Sequence, residues 1–127
     1  MNMLLADTDV LIDFLSGNGK AIELVREHSE NMLVSTITIA ELYAGARNEK
    51  ERNDLDSFLN LFQIISVDGE VAKTAGLLKQ EFLKSHNLGM ADCLIAATAI
   101  ANNAKLKMLN VKHFPTFKNL EAAYPKD

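Results

Sequence analysis

Three short apolar runs, Met3 to Ala6, Met32 to Ser35 and Gln63 to Val67, alternate along the chain with segments whose apolar residues recur at a helical period. That alternation is the pattern of a parallel sheet with helices on both faces, because a parallel connection needs a crossover long enough to hold a helix. Leu55, Phe58, Leu59 and Phe62 stand at i, i+3, i+4 and i+7, and Val71, Ala75, Leu78 and Phe82 keep one face over three turns. Both stretches are predicted to be amphipathic helices. Residues 20–29, 37–47 and 90–104 also read as helices, the last apolar on almost every side and therefore buried. All three strands are expected to be buried. Gly17 to Gly19 and Asn87 to Gly89 mark turns, and no linker, repeat or low-complexity tract interrupts the pattern. The expected architecture is one α/β domain over residues 1–127.

Composition bounds what such a domain can do. A chain of 127 residues, 48% hydrophobic and 24% charged, can bury one ordinary core. Its 13 basic and 17 acidic residues leave a formal charge of −4, so the whole molecule offers no basic footprint to a phosphate backbone. Any nucleic-acid role must rest on a local patch or on bound cations. The single cysteine, Cys93, lies in an apolar stretch, as a small core residue in a reducing compartment does. The N-terminal apolar run meets an aspartate at once and has no basic region before it. Neither a signal peptide nor a membrane anchor is expected, and the cytoplasm is the default location.

The chemistry must then come from the acids. In LLADTDVLID the first strand stops on Asp7 and Asp9, where a helix is expected from about Val10. Either residue could simply cap that helix or favour its dipole. Asp13, one turn further, reads as the solvated side of the same helix. Glu41, in STITIAELYAG, has two readings as well. Thr38 and Glu41 have the spacing of a capping box, yet Ile37, Ile39 and Ala40 would leave a glutamate there largely desolvated and in need of a partner. Asp92 is the only charged side chain between Met90 and Ala104. In open α/β sheets the carboxyl ends of the strands form the functional edge, so Asp7, Glu41 and Asp92 could converge there. Two carboxylates about 4 Å apart repel by roughly 4 kcal/mol at an effective dielectric near 20, so convergence calls for a cation between them. Hard divalent ions, Mg²⁺ above all, take oxygen ligands of this kind.

Other chemistries lack their residues. His28, His86 and His113 have no metal-ligand spacing, SGNGKA lacks the first half of a phosphate-binding loop, and no nucleophile motif is present.

Four segments, LLADTDVLIDFL, STITIAELYAGAR, MADCLIAATAIA and NVKHFPTFKNLE, resemble in order and spacing the PIN-domain ribonucleases, most closely the VapC toxins of VapBC toxin–antitoxin pairs. The resemblance implies a parallel five-stranded sheet, a Mg²⁺ or Mn²⁺ site and endonucleolytic cutting of RNA, with Asp7, Glu41 and Asp92 as metal-binding acids. It also implies a homodimer and a small VapB-type antitoxin whose C-terminal segment fills the acidic pocket, often through an arginine that forks onto the carboxylates. Two positions depart from the family pattern. Met108 stands where a threonine is usual, followed by Asn110 in the place of an asparagine or fourth acid, and Asp9 stands where Asn or Ser is commoner. Asn110 can hydrogen-bond a metal water but brings no charge, whereas Asp9 restores one. The expected catalytic set is Asp7, Asp9, Glu41, Asp92 and Asn110.

A divalent ion on these acids would bind a phosphate oxygen and lower the pKa of a water for in-line displacement. Arg47, Lys50 and Lys112 are candidates for guiding RNA, or are ordinary surface charges. Two alternatives remain open. ADTDV resembles the D-x-D motif of haloacid-dehalogenase-like phosphatases, with Asp7 as nucleophile and Asp9 as acid/base, although the further lysine and acidic pair of those enzymes have no clear match. Met108 and Asn110 also admit a non-catalytic PIN-like binding protein.

Overall fold

The computed structural model describes residues 3–83, 88–109, 111–114 and 119–125. The chain runs β1 (Leu4–Ala6), α1 (Thr8–Leu15), α2 (Gly19–His28), β2 (Met32–Ser35), α3 (Thr36–Ala44), α4 (Glu49–Leu59), β3 (Gln63–Ile65), α5 (Gly69–Glu81), α6 (Met90–Ala101), β4 (Lys105–Met108) and β5 (Leu120–Ala122). The five strands form one sheet in the order β3-β2-β1-β4-β5, and each neighbouring pair is parallel. β1 is therefore the central strand, flanked by two strands that follow it in the chain.

Side chains alternate across the pleat, so the strands divide between two cores. Leu5, Leu33, Leu106 and Met108 pack with Val71 and Ala75 of α5 and with Cys93, Ala96, Ala97 and Ala99 of α6. On the opposite face Leu4, Ala6, Met32 and Val34 meet Leu11 of α1, Val25 of α2, Leu42 of α3 and Leu55, Phe58 and Leu59 of α4. Leu5 lies in register with Leu33 on one side and Leu106 on the other, a row of leucines across the middle of the sheet. Burying each contributes about 2–3 kcal/mol. Phe58 stacks on Phe14, with ring centroids 4.8 Å apart, and meets Phe62 edge-on at 5.0 Å.

The ends of elements follow local chemistry. Asn18, Ser35, Asn48 and Asp68 cap α2, α3, α4 and α5 with side-chain oxygens. The helix expected over 90–104 ends at Ala101 because Asn103 takes a left-handed conformation, φ 49°, which asparagine tolerates. One strand departs from expectation: β3 stops at Ile65, and Gln63 and Ile64 are exposed. An edge position leaves its outer flank without a neighbouring strand. Among the described residues no helix is long and apolar enough to cross a membrane.

Candidate active site

β1 ends in the middle of the sheet, and the chain passes directly from Ala6 through Asp7 into α1. The Asp7 amide donates to the carbonyl of Lys107 at 3.0 Å, extending the β1–β4 ladder by one residue. Asp7 occupies the N-cap position with extended backbone (φ −71°, ψ 160°), but its carboxylate makes no capping hydrogen bond. The capping explanation therefore does not account for this side chain. It is 8% exposed. Burial, first of all, and then the charge of Asp9, a carboxyl–carboxyl hydrogen bond to Asp9 and the charge of Asp92 push its pKa up to about 8, against the opposing Thr8 amide.

Asp9, one residue into α1, is half-buried, and burial raises its pKa as well. Its Oδ2 accepts from the Leu109 amide at 3.3 Å. Its Oδ1 is buried with no donor among the described residues. A buried carboxylate oxygen without an N–H or O–H in reach requires either a proton on the neighbouring carboxyl or a cation. The raised pKa of Asp7 supplies the first; the donor chemistry of the pair suits the second.

Asp92 reaches the same edge from another direction. Helices that connect parallel strands run antiparallel to them, so the start of α6 lies at the carboxyl end of the sheet. Asp92 is in the first turn of α6, half-buried, behind the N-cap residue Gly89, which has no side chain to cap with.

Glu41 differs from its expected setting in two ways. It lies in the sixth position of α3 and is exposed rather than desolvated, because Thr38 and Leu42 carry the buried side of that helix. The capping box is not formed either: Ser35 is the cap, accepting from the Ile37 amide at 3.0 Å, and Thr38 is fully buried. Glu41 is held at the start of α1 by Thr8, whose Oγ1 is 2.6 Å from Glu41 Oε1. Thr8 and Thr38 carry no sequence signal of this role, since only the fold brings α1 and α3 together.

Met108 is buried in the core beneath α6, so that position adds no polar side chain, although the following residue, Leu109, reaches Asp9 through its amide. Asn110 lies outside the described residues. Asp13 is not the solvated acid expected; it is half-buried and accepts from the Tyr124 hydroxyl at 2.7 Å. Arg47 and Lys50 are engaged one turn away on Glu51 and Asp54, at 2.8 Å and 2.9 Å, and Lys112 is exposed. Arg47, Lys50 and Glu41 border a groove of about 520 Å³ between α1, α3 and α4, floored by Leu42 and Leu55.

Among the described residues no three acidic, histidine or cysteine side chains form a group ready to hold a metal ion. The gathered acids fit an ion that needs few protein ligands: Mg²⁺ binds through one or two carboxylates and keeps several waters. Asp7 with Asp9, and Asp92 near Asp7, meet that requirement.

Comparison with known proteins bears on the same residues. A family model described as PIN domain matches residues 4–108. Ribonuclease VapC10 of Mycobacterium tuberculosis is 37% identical over 125 residues, covering 96% of this chain and 93% of its own. A toxin–antitoxin complex from Klebsiella pneumoniae contains a chain with TM-score 0.83 and 27% identity, covering 97% of this chain and 99% of that one. VapBC2 from Rickettsia felis, bound to a DNA fragment from its promoter, gives TM-score 0.82 and 27% identity over 94% and 98%.

Proposed function

The chain belongs to the PIN-domain family, and from that premise we propose that it is a metal-dependent endoribonuclease, the toxin of a toxin–antitoxin pair. The observation that carries the reading is local: two carboxylates are held together at the end of the central strand, one oxygen of Asp9 is buried with no donor among the described residues other than a protonated Asp7, and a third acid is close enough to raise the pKa of Asp7. The Asp7 carboxylate makes no capping hydrogen bond to α1.

In this reading Asp7, Glu41 and Asp92 hold Mg²⁺ or Mn²⁺, with Asp9 beside Asp7 and Asn110 as a further polar group. The bound ion supplies Lewis-acid stabilisation of the phosphodiester and a water of lowered pKa. The protein contributes the placement. β1 and α1 fix Asp7 and Asp9, α6 fixes Asp92, and burial keeps water from screening their charges. The N-termini of α1 and α6 point at the same edge and favour anionic groups there, both the acids and an incoming phosphate. Asp7 gives up its proton when it becomes a ligand.

RNA is the substrate, and a small VapB-type antitoxin is the partner, as in the complexes formed by structural neighbours. An arginine of such a partner would fork onto the same carboxylates that hold the cation. The assembly is a homodimer, and the chain acts in the cytoplasm as one PIN domain over 1–127.

The test is cleavage of structured and single-stranded RNAs by the purified chain in Mg²⁺ or Mn²⁺. Cutting that disappears with a chelator and in both Asp7→Asn and Asp92→Asn supports the assignment. Cutting unaffected by these changes, or none by the antitoxin-free wild type with either ion, overturns it.

A further inference from the structure

Thr8 sits between the two aspartates in sequence, but successive side chains on a helix diverge by about 100°. Its hydroxyl consequently faces α3. There Oγ1 lies 2.6 Å from Oε1 of Glu41 and 3.1 Å from Oγ1 of Thr38. Thr38 is fully buried, and Ser35 has already taken the capping role that the spacing of Thr38 suggested.

Proton accounting fixes the direction of this chain. A threonine hydroxyl has one proton to donate and two lone pairs to accept with. The carboxylate of Glu41 only accepts, and a bond to it is stronger than one between two hydroxyls. The proton of Thr8 therefore goes to Glu41, leaving the buried hydroxyl of Thr38 to donate to the oxygen of Thr8. The sequence Thr38 to Thr8 to Glu41 runs from the core of α3, across the start of α1, and back to an exposed carboxylate further along α3.

We propose that Thr8 and Thr38 form a hydroxyl relay that holds the Glu41 carboxylate at the first turn of α1, the turn that carries Asp9, making both threonines positioning residues for Glu41. The proposal rests on the nuclease reading for the identity of the cation, but the relay itself is a property of the metal-free chain. An exposed glutamate samples many rotamers and loses that freedom when recruited as a ligand. Anchoring one oxygen on Thr8 removes much of the freedom beforehand and leaves Oε2 available. Anchoring Thr8 in turn on a buried hydroxyl fixes the rotamer of the anchor. Because Thr8 is flanked by Asp7 and Asp9, the relay ties the spacing of Glu41 to the first turn of α1.

Two measurements on the full chain test this. In metal-free protein, three-bond couplings along the Glu41 side chain should report one dominant rotamer in wild type and averaging in Thr8→Val, with Thr8→Ser returning to the wild-type pattern. Averaged couplings in wild type would overturn the relay while leaving the nuclease reading intact. In calorimetric titration with Mn²⁺, Thr8→Val should bind about tenfold more weakly, the usual scale for loss of a group that orients a metal ligand. Thr38→Val should weaken binding by a smaller factor, and each serine variant should restore it. In a Glu41→Ala background Thr8→Val should cost nothing further, since both changes remove one interaction. Equal Mn²⁺ affinity of wild type and Thr8→Val overturns the relay alone, whereas absence of Mn²⁺ binding by wild type overturns the cation site and leaves the Glu41 couplings to decide the relay. Thermal melting of every variant separates these outcomes from loss of fold, and Thr38→Ser with Thr38→Val gives the same contrast should Thr8→Val fail to fold.

Discussion

Asp7 and Asp9 at the end of β1 and Glu51 and Asp54 on α4 are carboxylates in opposite settings. On α4 each acid meets a cation one turn away, Arg47 for Glu51 and Lys50 for Asp54, with Glu51 partly and Asp54 largely open to water, and the pKa of Glu51 is lowered by its bonds to Arg47. At the end of β1 two acids are buried against each other with no cation among their partners in the described residues, and burial raises the pKa of both. An exposed acid with a partner is a solubility feature that could be replaced freely. A buried acid beside another acid makes the fold less stable, and its presence has to be explained by what it binds. The contrast separates the candidate site from the rest of a surface rich in charge.

Activity should show the contrast most strongly. Asp7→Asn and Asp92→Asn should each reduce RNA cleavage by on the order of a hundredfold or more, beyond the 10–100-fold range for groups that only orient a ligand. Glu51→Gln should leave kcat unchanged. Initial rates on one RNA at saturating Mg²⁺ give the comparison, and an equal loss in all three variants would remove the distinction between the two regions.

The sequence carried the fold well because alternating strand and helix periods are local signals. β2 was legible to the residue, since apolar run and cap, Ser35, fall together. β3 was legible as a strand but not as an edge strand, because edge position depends on sheet order. The site was legible where an acid broke an apolar context, as Asp7, Asp9 and Asp92 do. Glu41 was identified on correct neighbours and the wrong consequence: Ile37 and Ile39 turn into the two cores and leave Glu41 outside. Thr8, Thr38 and the Leu109 amide were invisible because their contacts span 30 to 100 positions of chain. β4 alternates over only four residues and β5 spans three, too short to stand out, so periodicity gave three strands and only the resemblance supplied the fourth and fifth.

The next largest effect is on stability against pH. In the unfolded chain Asp7 titrates near 3.8, while in the fold its pKa is raised to about 8. Between those values the folded state holds a proton that the unfolded state has lost, so stability is full below about pH 4 and falls as pH rises toward 8. The loss from this group is at most about 6 kcal/mol, at about 1.4 kcal/mol per unit. Asp7→Asn carries no such proton. Without divalent ions it should be more stable than wild type at pH 8 and nearly equal at pH 4.5, as read from urea denaturation. A constant difference across that range would mean that the carboxyl is not buried beside Asp9 as described.

Divalent ions should oppose that loss. Binding to the folded state alone adds RT ln(1 + [L]/Kd), about 2.7 kcal/mol at a hundredfold excess over Kd. Mg²⁺ or Mn²⁺ should therefore raise the Tm of wild type more at pH 8 than at pH 5, where protons compete for Asp7, and should do so only weakly in Asp7→Asn. An equal rise in both proteins would place the ion elsewhere.

The smallest effect belongs to α4. Arg47→Ala and Lys50→Ala each break an i,i+4 pair whose members lie in water, and exposed pairs of this kind contribute little and are screened by salt. Each change should move Tm by no more than about 2 °C at low salt, less at 0.5 M. Their influence on RNA is sharper as a test, because each cation is already matched by an acid and the local net charge is near zero. If the paired state persists when RNA binds, both variants should leave KM and its salt dependence nearly unchanged. If RNA draws Arg47 and Lys50 away from Glu51 and Asp54, KM should rise in both variants and the salt slope should flatten by about one per lost phosphate contact. The groove bordered by these cations and Glu41 would then be the path along which the backbone reaches Asp7, and α4 would belong to the functional region rather than stand in contrast to it.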